Sequence, residues 1–272
     1  MKKHTIEAGG RRRTYHHVAP SSPRPGTPLI VALHGTGQQG PTMRRFSGRS
    51  LDRLAEKVGA DLVYLDGYRR SWNDSPTRRS NGAGKADVDD AAFIAAVVEG
   101  FGRPALVVGF SNGGWMAQRF AREHSRLVSG LVVIAAGMQV DEGPLERRHA
   151  TAPLRTLVLH GDADPIVPVG GGEARLLGTS HGIVRSARET AEALAGGGAP
   201  RETVRDGVTQ HDWNDVRLVI QRDAGHVIPN RTHAPMRFPI GRSQRTMDTG
   251  EEILSHFPLV APAALGSAPR WA

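Results

Sequence analysis

The sequence predicts an α/β fold, with a mainly parallel central sheet and helices on both faces. Three observations predict it. Short, continuous apolar runs recur along the chain, among them "LIVAL" at 29–33, "DLVYL" at 61–65 and "ALVVGF" at 105–110. Such runs suit strands covered on both faces. Segments of helical spacing separate these runs, so strand and helix alternate. The 272 residues, 39% of them hydrophobic, suffice for one sizeable core, and no internal repeat or linker divides the chain. A single domain over residues 1–272 is therefore expected.

Taken in order, "RRRTYHHVAP" at 11–20 reads as an edge strand ended by Pro20, and "SSPRPGTP" at 21–28 as a loop. After the strand at 29–33, "SLDRLAEKVGA" at 50–60 has helical spacing and is closed by Gly59. The strand at 61–65 leads into a polar, Arg-bearing loop over residues 67–86. Asp87 opens an amphipathic helix, "DVDDAAFIAAVVEGF", with acids in its first turn, where the helix dipole favours them. "ALVVGF" is followed by a helix, "NGGWMAQRFAREH", at 112–124. Further strands are read at 127–137, 154–161 and 216–221, and further helices at 183–198 and 248–257. Residues 229–247 have no periodicity, and loops of that length are often functional. The Ala- and Pro-rich tail over 258–272 reads as frayed.

Composition excludes several classes of function. There is no Cys, which rules out disulfides, Cys-ligated metals and a Cys nucleophile. No run of eighteen apolar residues is present, so no membrane span is expected. The N-terminal segment lacks the apolar stretch of a signal peptide, which favours a cytoplasmic location. Net charge is +8, from 35 basic residues of which four are Lys. The Arg clusters, "RRR" at 11–13 the longest, are short and not interleaved with aromatics. They read as solvated surface rather than as a nucleic-acid site. The twelve His residues show no metal-ligand spacing, so neither metal nor other cofactor is expected.

"GFSNGG" at 109–114 fits G-x-S-x-G. A strand precedes it and a helix follows, which is the setting of a nucleophile elbow. The sharp turn exposes the Ser111 hydroxyl, glycines leave room around it, and the helix N-terminus offers amide donors to a developing oxyanion. Ser111 as an ordinary helix cap is the competing reading. A serine needs a base and an orienting acid. In an α/β-hydrolase these follow in the order Ser, acid, His, each after a later strand. "LRTLVLHGDADPIVP" offers Asp162 and Asp164, and "VRLVIQRDAGHVIP" offers His226. Asn112 N–H and Thr36 N–H, the latter from "LHGTG" after an early strand, are the expected oxyanion donors. His34 and His160 are read as structural.

These residues resemble the polyhydroxybutyrate depolymerase and feruloyl esterase group of α/β-hydrolases, the LpqC-like esterases. The matching pieces are "GGRRRTYHHVAP", "LHGTGQ", "SWND" at 71–74, "DVDDAAFI", "GFSNGGWMA", "HGDADPIVP" and "AGHVIP", running in family order from Gly9 to Phe257. The resemblance implies hydrolysis of carboxylic esters through an acyl-serine, and it favours Asp164 as the acid. Trp72 and Asn73 of "SWND" are candidate substrate contacts; the alternative is that they brace their loop. Three departures stand out. Thr36 occupies a position where the family often has Cys, secretion signals and disulfides are missing, and "GHVIP" replaces G-H-T-W-P. A polymer substrate does not follow from the resemblance.

The expected partner is a small or oligomeric ester substrate, with no nucleic acid and no membrane. The loops at 67–86 and 227–247 are the expected pocket walls, and Arg residues within 231–245 would favour anionic esters if they faced the pocket. The same triad also serves acyl transfer, thioester hydrolysis and peptide cleavage. A binding protein that has kept the fold is a further alternative.

Overall fold

A computed structural model describes residues 1–75, 79–140, 154–232 and 238–259. In chain order the strands are β1 (Lys2–Ala8), β2 (Arg11–Val18), β3 (Leu29–Leu33), β4 (Leu62–Leu65), β5 (Ala105–Phe110), β6 (Val128–Ile134), β7 (Thr156–Gly161), β8 (Gly172–Leu176), β9 (Thr179–Val184), β10 (Arg201–Arg205), β11 (Val208–Asp212) and β12 (Val216–Gln221). The α-helices are α1 (Gly40–Phe46), α2 (Ser50–Val58), α3 (Gly82–Lys85), α4 (Asp90–Gly100), α5 (Asn112–Glu123), α6 (Ala187–Ala195) and α7 (Thr249–His256).

Ten strands form one sheet in the order β1-β2-β4-β3-β5-β6-β7-β12-β11-β10, and β8 and β9 form a separate hairpin. The central strands β4, β3, β5, β6, β7 and β12 run parallel, and antiparallel pairs flank them. Alternation of side chains explains why the central strands are apolar throughout. Leu29, Val31 and Leu33 of β3 enter the core on one face with Phe93, Val97, Met116 and Phe120. Ile30 and Ala32 enter the core on the other face with Met43, Leu51, Leu54 and Ile253. Full burial of one such side chain contributes roughly 1.5–3 kcal/mol, so two faces give these strands twice the anchorage of a half-exposed one. β7 and β12 carry a third cluster, in which Val158 and Leu218 pack on Ala187 and Ala191 of α6.

The structure differs from the sequence reading at several elements. β2 is not an edge strand, because β1 pairs along its outer side. The helix read from 183 begins at Ala187, since residues 183–184 finish β9. A capping box fixes its start: Glu189 N donates to Ser186 Oγ, and Ser186 N donates to Glu189 Oε2. The helix read from Asp87 begins at Asp90, with Asp89 as its cap, and Asp87 has φ 48°. α1 and the hairpins β8–β9 and β10–β11 were not anticipated. The loop read at 229–247 is irregular where described, with 233–237 outside the described residues. The tail from residue 260 also lies outside them. Among the described residues no helix is long and apolar enough to cross a membrane.

Candidate active site

Ser111 sits between the end of β5 and the start of α5, with φ 54° and ψ −123°. A non-glycine residue in that region costs on the order of 1–3 kcal/mol and persists only where its surroundings enforce it. Here glycines enforce it. A Cβ on Gly109 would fall 2.2 Å from Gly113 O, and one on Gly113 would fall 2.2 Å from Leu33 O. The turn is therefore as tight as backbone alone allows, and it presses α5 onto the end of β3. Ser111 makes no side-chain cap to the helix, which removes the ordinary-cap reading. Its backbone N donates to Ile134 O at 2.9 Å, while Gly114 N and Trp115 N donate to its carbonyl.

His226 follows β12, and Asp164 follows β7, the neighbouring strand. His226 Nδ1–H donates to Asp164 Oδ2 at 2.8 Å. Asp164 Oδ1 accepts from Ile166 N and Val167 N at 2.8 and 2.9 Å. Pro165 lies inside that small ring and stiffens it. A second imidazole, His160, places Nε2 3.5 Å from Asp164 Oδ2 and 2.8 Å from Val167 O. Burial is the largest influence on Asp164 and opposes its charge. Attraction to His226, with hydrogen bonds from His160 and His226, outweighs it and holds the carboxyl well below the ordinary carboxylate range. His226 is seated by its own N–H on Ile240 O at 2.6 Å and by Gly225 N–H on Arg242 O at 2.8 Å. A Cβ on Gly225 would fall 2.2 Å from Ile240 O. The ring of Phe110, the residue before Ser111, lies 4.9 Å from that of His226. The three residues thus converge at one end of the sheet, with Ser111, Asp164 and His226 exposed by 8%, 7% and 4%.

Asp162 does something else. It is exposed, and its Oδ1 accepts from Asp223 N at 2.7 Å. It ties the loop after β7 to the loop after β12, rather than bonding the local amides expected of a turn residue.

The loop after β3 packs against the elbow. A Cβ on Gly35 would lie 3.3 Å from Ser111 Cβ and 3.0 Å from Phe110 Cδ1. Thr36 follows directly. His34 is fully buried: Nδ1–H donates to Gly35 O at 2.8 Å, and Nε2 accepts from Gly67 N at 2.9 Å. Burial pushes it down to about 4, against weaker raising influences from Gly35 and Asp66. A neutral ring with both nitrogens engaged is structural. Asn112 begins α5, so its N–H has no partner within the helix.

Trp72 and Asn73 correct an expectation. Trp72 has no exposed surface, and its Nε1–H donates to His34 O at 2.8 Å. Its backbone N donates to Asn112 Oδ1 at 2.7 Å. Asn73 is buried, with Nδ2 donating to Val88 O at 3.0 Å and its backbone N donating to Asp90 Oδ2 at 2.7 Å. Trp72 has no surface left for a substrate and Asn73 keeps only 5%, facing a cavity with Asp87, Arg119 and His124 rather than the triad, so both brace the loop. The second expected wall, 227–247, contributes backbone: the carbonyls of residues 240 and 242 hold the His226 loop. Arg231, one of the Arg residues looked to for anionic esters, pairs with Glu251 at 2.8 Å. A cavity of 520 Å³ lies at the opposite end of the sheet, lined by Thr27, Arg103, Leu106, Arg155 and Phe257, with no triad residue in its wall. Among the described residues no group of His, Asp and Glu is placed to hold a metal ion.

The model of the alpha/beta hydrolase family matches residues 30–268. The chain belongs to the alpha/beta hydrolase family. Among curated proteins, this chain is 36% identical over 174 residues to one from Nocardia uniformis subsp. tsuyamanensis named "Putative esterase NocK", a match covering 61% of this chain and 49% of that one. The chain spans about half the length of that relative. Among solved structures, the chain is similar to the acetyl xylan esterase from Aspergillus awamori, with TM-score 0.63 at 16% identity over 84% of this chain and 95% of the other. It is also similar to a "predicted CIB-like hydrolase" from Thermoplasma acidophilum, with TM-score 0.55 at 18% identity over 93% and 94% of the two chains. At these identities the likeness is one of fold.

Proposed function

We propose that this α/β-hydrolase is a serine hydrolase of carboxylic esters. Ser111 Oγ attacks the ester carbonyl as His226 Nε2 takes its proton. Asp164 fixes the His226 tautomer and steadies the imidazolium. The N–H groups of Thr36 and Asn112 hold the oxyanion. Collapse expels the alcohol, which leaves with the proton from His226. Water, deprotonated by the same imidazole, then hydrolyses the acyl-serine. The observation that carries this reading is the strained Ser111, whose hydroxyl makes no cap to α5, at the same end of the sheet as a hydrogen-bonded His226–Asp164 pair. The esterase named among its relatives supports the same class. Within that class, the motifs "GFSNGG", "HGDADPIVP" and "DVDD" favour the depolymerase and feruloyl esterase group, acting on small or oligomeric esters.

The test is labelling with a fluorophosphonate probe, with the modified peptide mapped, beside a panel of p-nitrophenyl esters, acyl thioesters and amides. Label on Ser111 and turnover of esters, both lost in Ser111→Ala, are expected. Turnover retained by Ser111→Ala would sink the assignment. Label without ester turnover, but with thioester turnover, would move the chain to another acyl chemistry.

A further inference from the structure

We propose that Trp72 and the Asn112 carboxamide are positioning residues that together set the spacing of the two oxyanion amides, Thr36 N–H and Asn112 N–H. This rests on the serine-hydrolase reading above and adds to it how the hole is held.

The two amides belong to different elements, the loop after β3 and the first turn of α5. Steric contact limits how closely these approach, since Gly113 is packed against Leu33 O and His34 O. Contact alone does not stop them from sliding or splaying apart. Trp72 supplies directional ties to both sides. Its indole Nε1–H donates to His34 O at 2.8 Å, two residues before Thr36. Its backbone N donates to Asn112 Oδ1 at 2.7 Å, and its backbone O accepts from Asn112 Nδ2 at 3.2 Å. The carboxamide is therefore held by both of its ends. The His34 and Trp72 rings also pack 5.0 Å apart.

The bracket is anchored to the rigid body rather than to a loose loop. Asn81 Nδ2 donates to Trp72 O at 2.9 Å. The next residue, Asn73, donates its N–H to Asp90 Oδ2 at 2.7 Å, and Asp90 is itself paired with the buried Arg13 of β2 at 2.5 Å. Polar groups in so dry a place are costly unless bonded. The polar groups of Trp72, Asn112 and Asn81 and the Asn73 N–H are bonded, and each bond carries direction, which an apolar filler of equal volume would lack. An oxyanion hole acts through donors already in place before the charge develops, and an error of about 1 Å can cost about 100-fold in rate.

The test uses Trp72→Phe, which keeps an aromatic ring but loses the indole donor, and Asn112→Leu, which keeps the branched shape without adding charge and loses both bonds to the Trp72 backbone. Hydrolysis of p-nitrophenyl acetate gives kcat and KM. A boronic acid that forms a tetrahedral adduct on serine reports affinity for a transition-state mimic. In each variant kcat should fall about 10- to 100-fold with KM little changed, and boronate affinity should fall in step. The double variant should lose less than the product of the two single losses, because both act through one geometry. If Trp72→Phe does not fold, Asn112→Leu alone carries the test. Wild-type kcat and boronate affinity at a temperature where the variant is folded, whatever the change in Tm, would overturn the proposal. So would a rise in KM alone. Failure of the underlying reading looks different: Ser111→Ala would then turn over substrate, and the boronate would not bind the wild-type enzyme.

Discussion

His226 Nδ1 and Asp164 Oδ2 stand 2.8 Å apart across 62 residues of chain. The carboxylate divides its work, with Oδ2 toward the imidazole and Oδ1 taken up by Ile166 N and Val167 N. Asp162, two residues earlier, points elsewhere and holds Asp223 N. Asp164→Asn should therefore lower kcat by up to about 10⁴-fold while the fold survives. Asp162→Asn should leave kcat near wild type and cost about 1 kcal/mol or less of stability. Steady-state kinetics with thermal melts on both variants check this; the reverse ranking would make Asp162 the acid.

Acid should destabilise the protein before it titrates Asp164. Burial lowers His34 from 6.5 to about 4, and His256 is lowered to about 4 by burial and then by Arg217 and Arg155. Between these values and 6.5 the unfolded chain binds protons that the folded chain refuses. Stability is thus fully present above about pH 6.5 and falls as pH drops toward 4, by on the order of 3 kcal/mol for His34. Denaturant midpoints at pH 7 and 4.5 should show the fall, and His34→Gln, less stable at pH 7, should show a shallower one. An unchanged slope in that variant would contradict the neutral, doubly bonded His34.

Gly113→Ala should be among the most damaging single-methyl changes in the chain. The added carbon meets Leu33 O at 2.2 Å, a backbone atom of a fully buried strand with no room to move. A loss of roughly 3 kcal/mol is expected. Melting temperature and soluble yield measure it, with Gly100→Ala, where nothing lies within 4 Å, as the control.

Arg13→Met should cost more than the paired change Arg13→Met with Asp90→Leu. Arg13 and Asp90 side chains are 3% and 0% exposed, and burial alone drives the Asp90 carboxyl upward in spite of its partner. Breaking such a pair leaves an uncompensated buried group, at about 3–5 kcal/mol, whereas an apolar replacement of both is often close to neutral. Chemical unfolding of the two variants decides it. Equal losses would mean that the Asn73 N–H bond to Asp90, rather than the charge, is what matters.

The central strands and the elbow were legible because their signals are local. "LIVAL" and "ALVVGF" are apolar at every position because both faces are covered, and the glycines around Ser111 mark a turn that side chains would fill. The order of acid and His after later strands came from the α/β-hydrolase pattern rather than from local signals, and the preference for Asp164 over Asp162 from the family resemblance. Trp72 was not legible. An aromatic in a polar loop carries no mark of which way it faces, and its partners, His34 and Asn112, lie 38 and 40 residues away. β1 and β10 were missed because "KKHTIEA" and "RETVR" are mostly polar, and their pairing comes from neighbours rather than from burial. The start of α6 was readable in principle, since Ser186 and Glu189 have capping-box spacing.

Among the described residues the ten-stranded sheet does not close on itself and no strand pairs with the outer sides of β1 and β10, which leaves a row of amides and carbonyls on each rim. Such a row is a template on which a second copy can add strands and begin a polymer. On β1 basic side chains outnumber acidic ones, Lys2 and Lys3 against Glu7, whereas on β10 Arg201 and Arg205 are paired with Asp212 and Glu252. Two molecules approaching through their β1 rims bring like charge to like. A surplus of one sign at an open rim disfavours the approach of a second copy there.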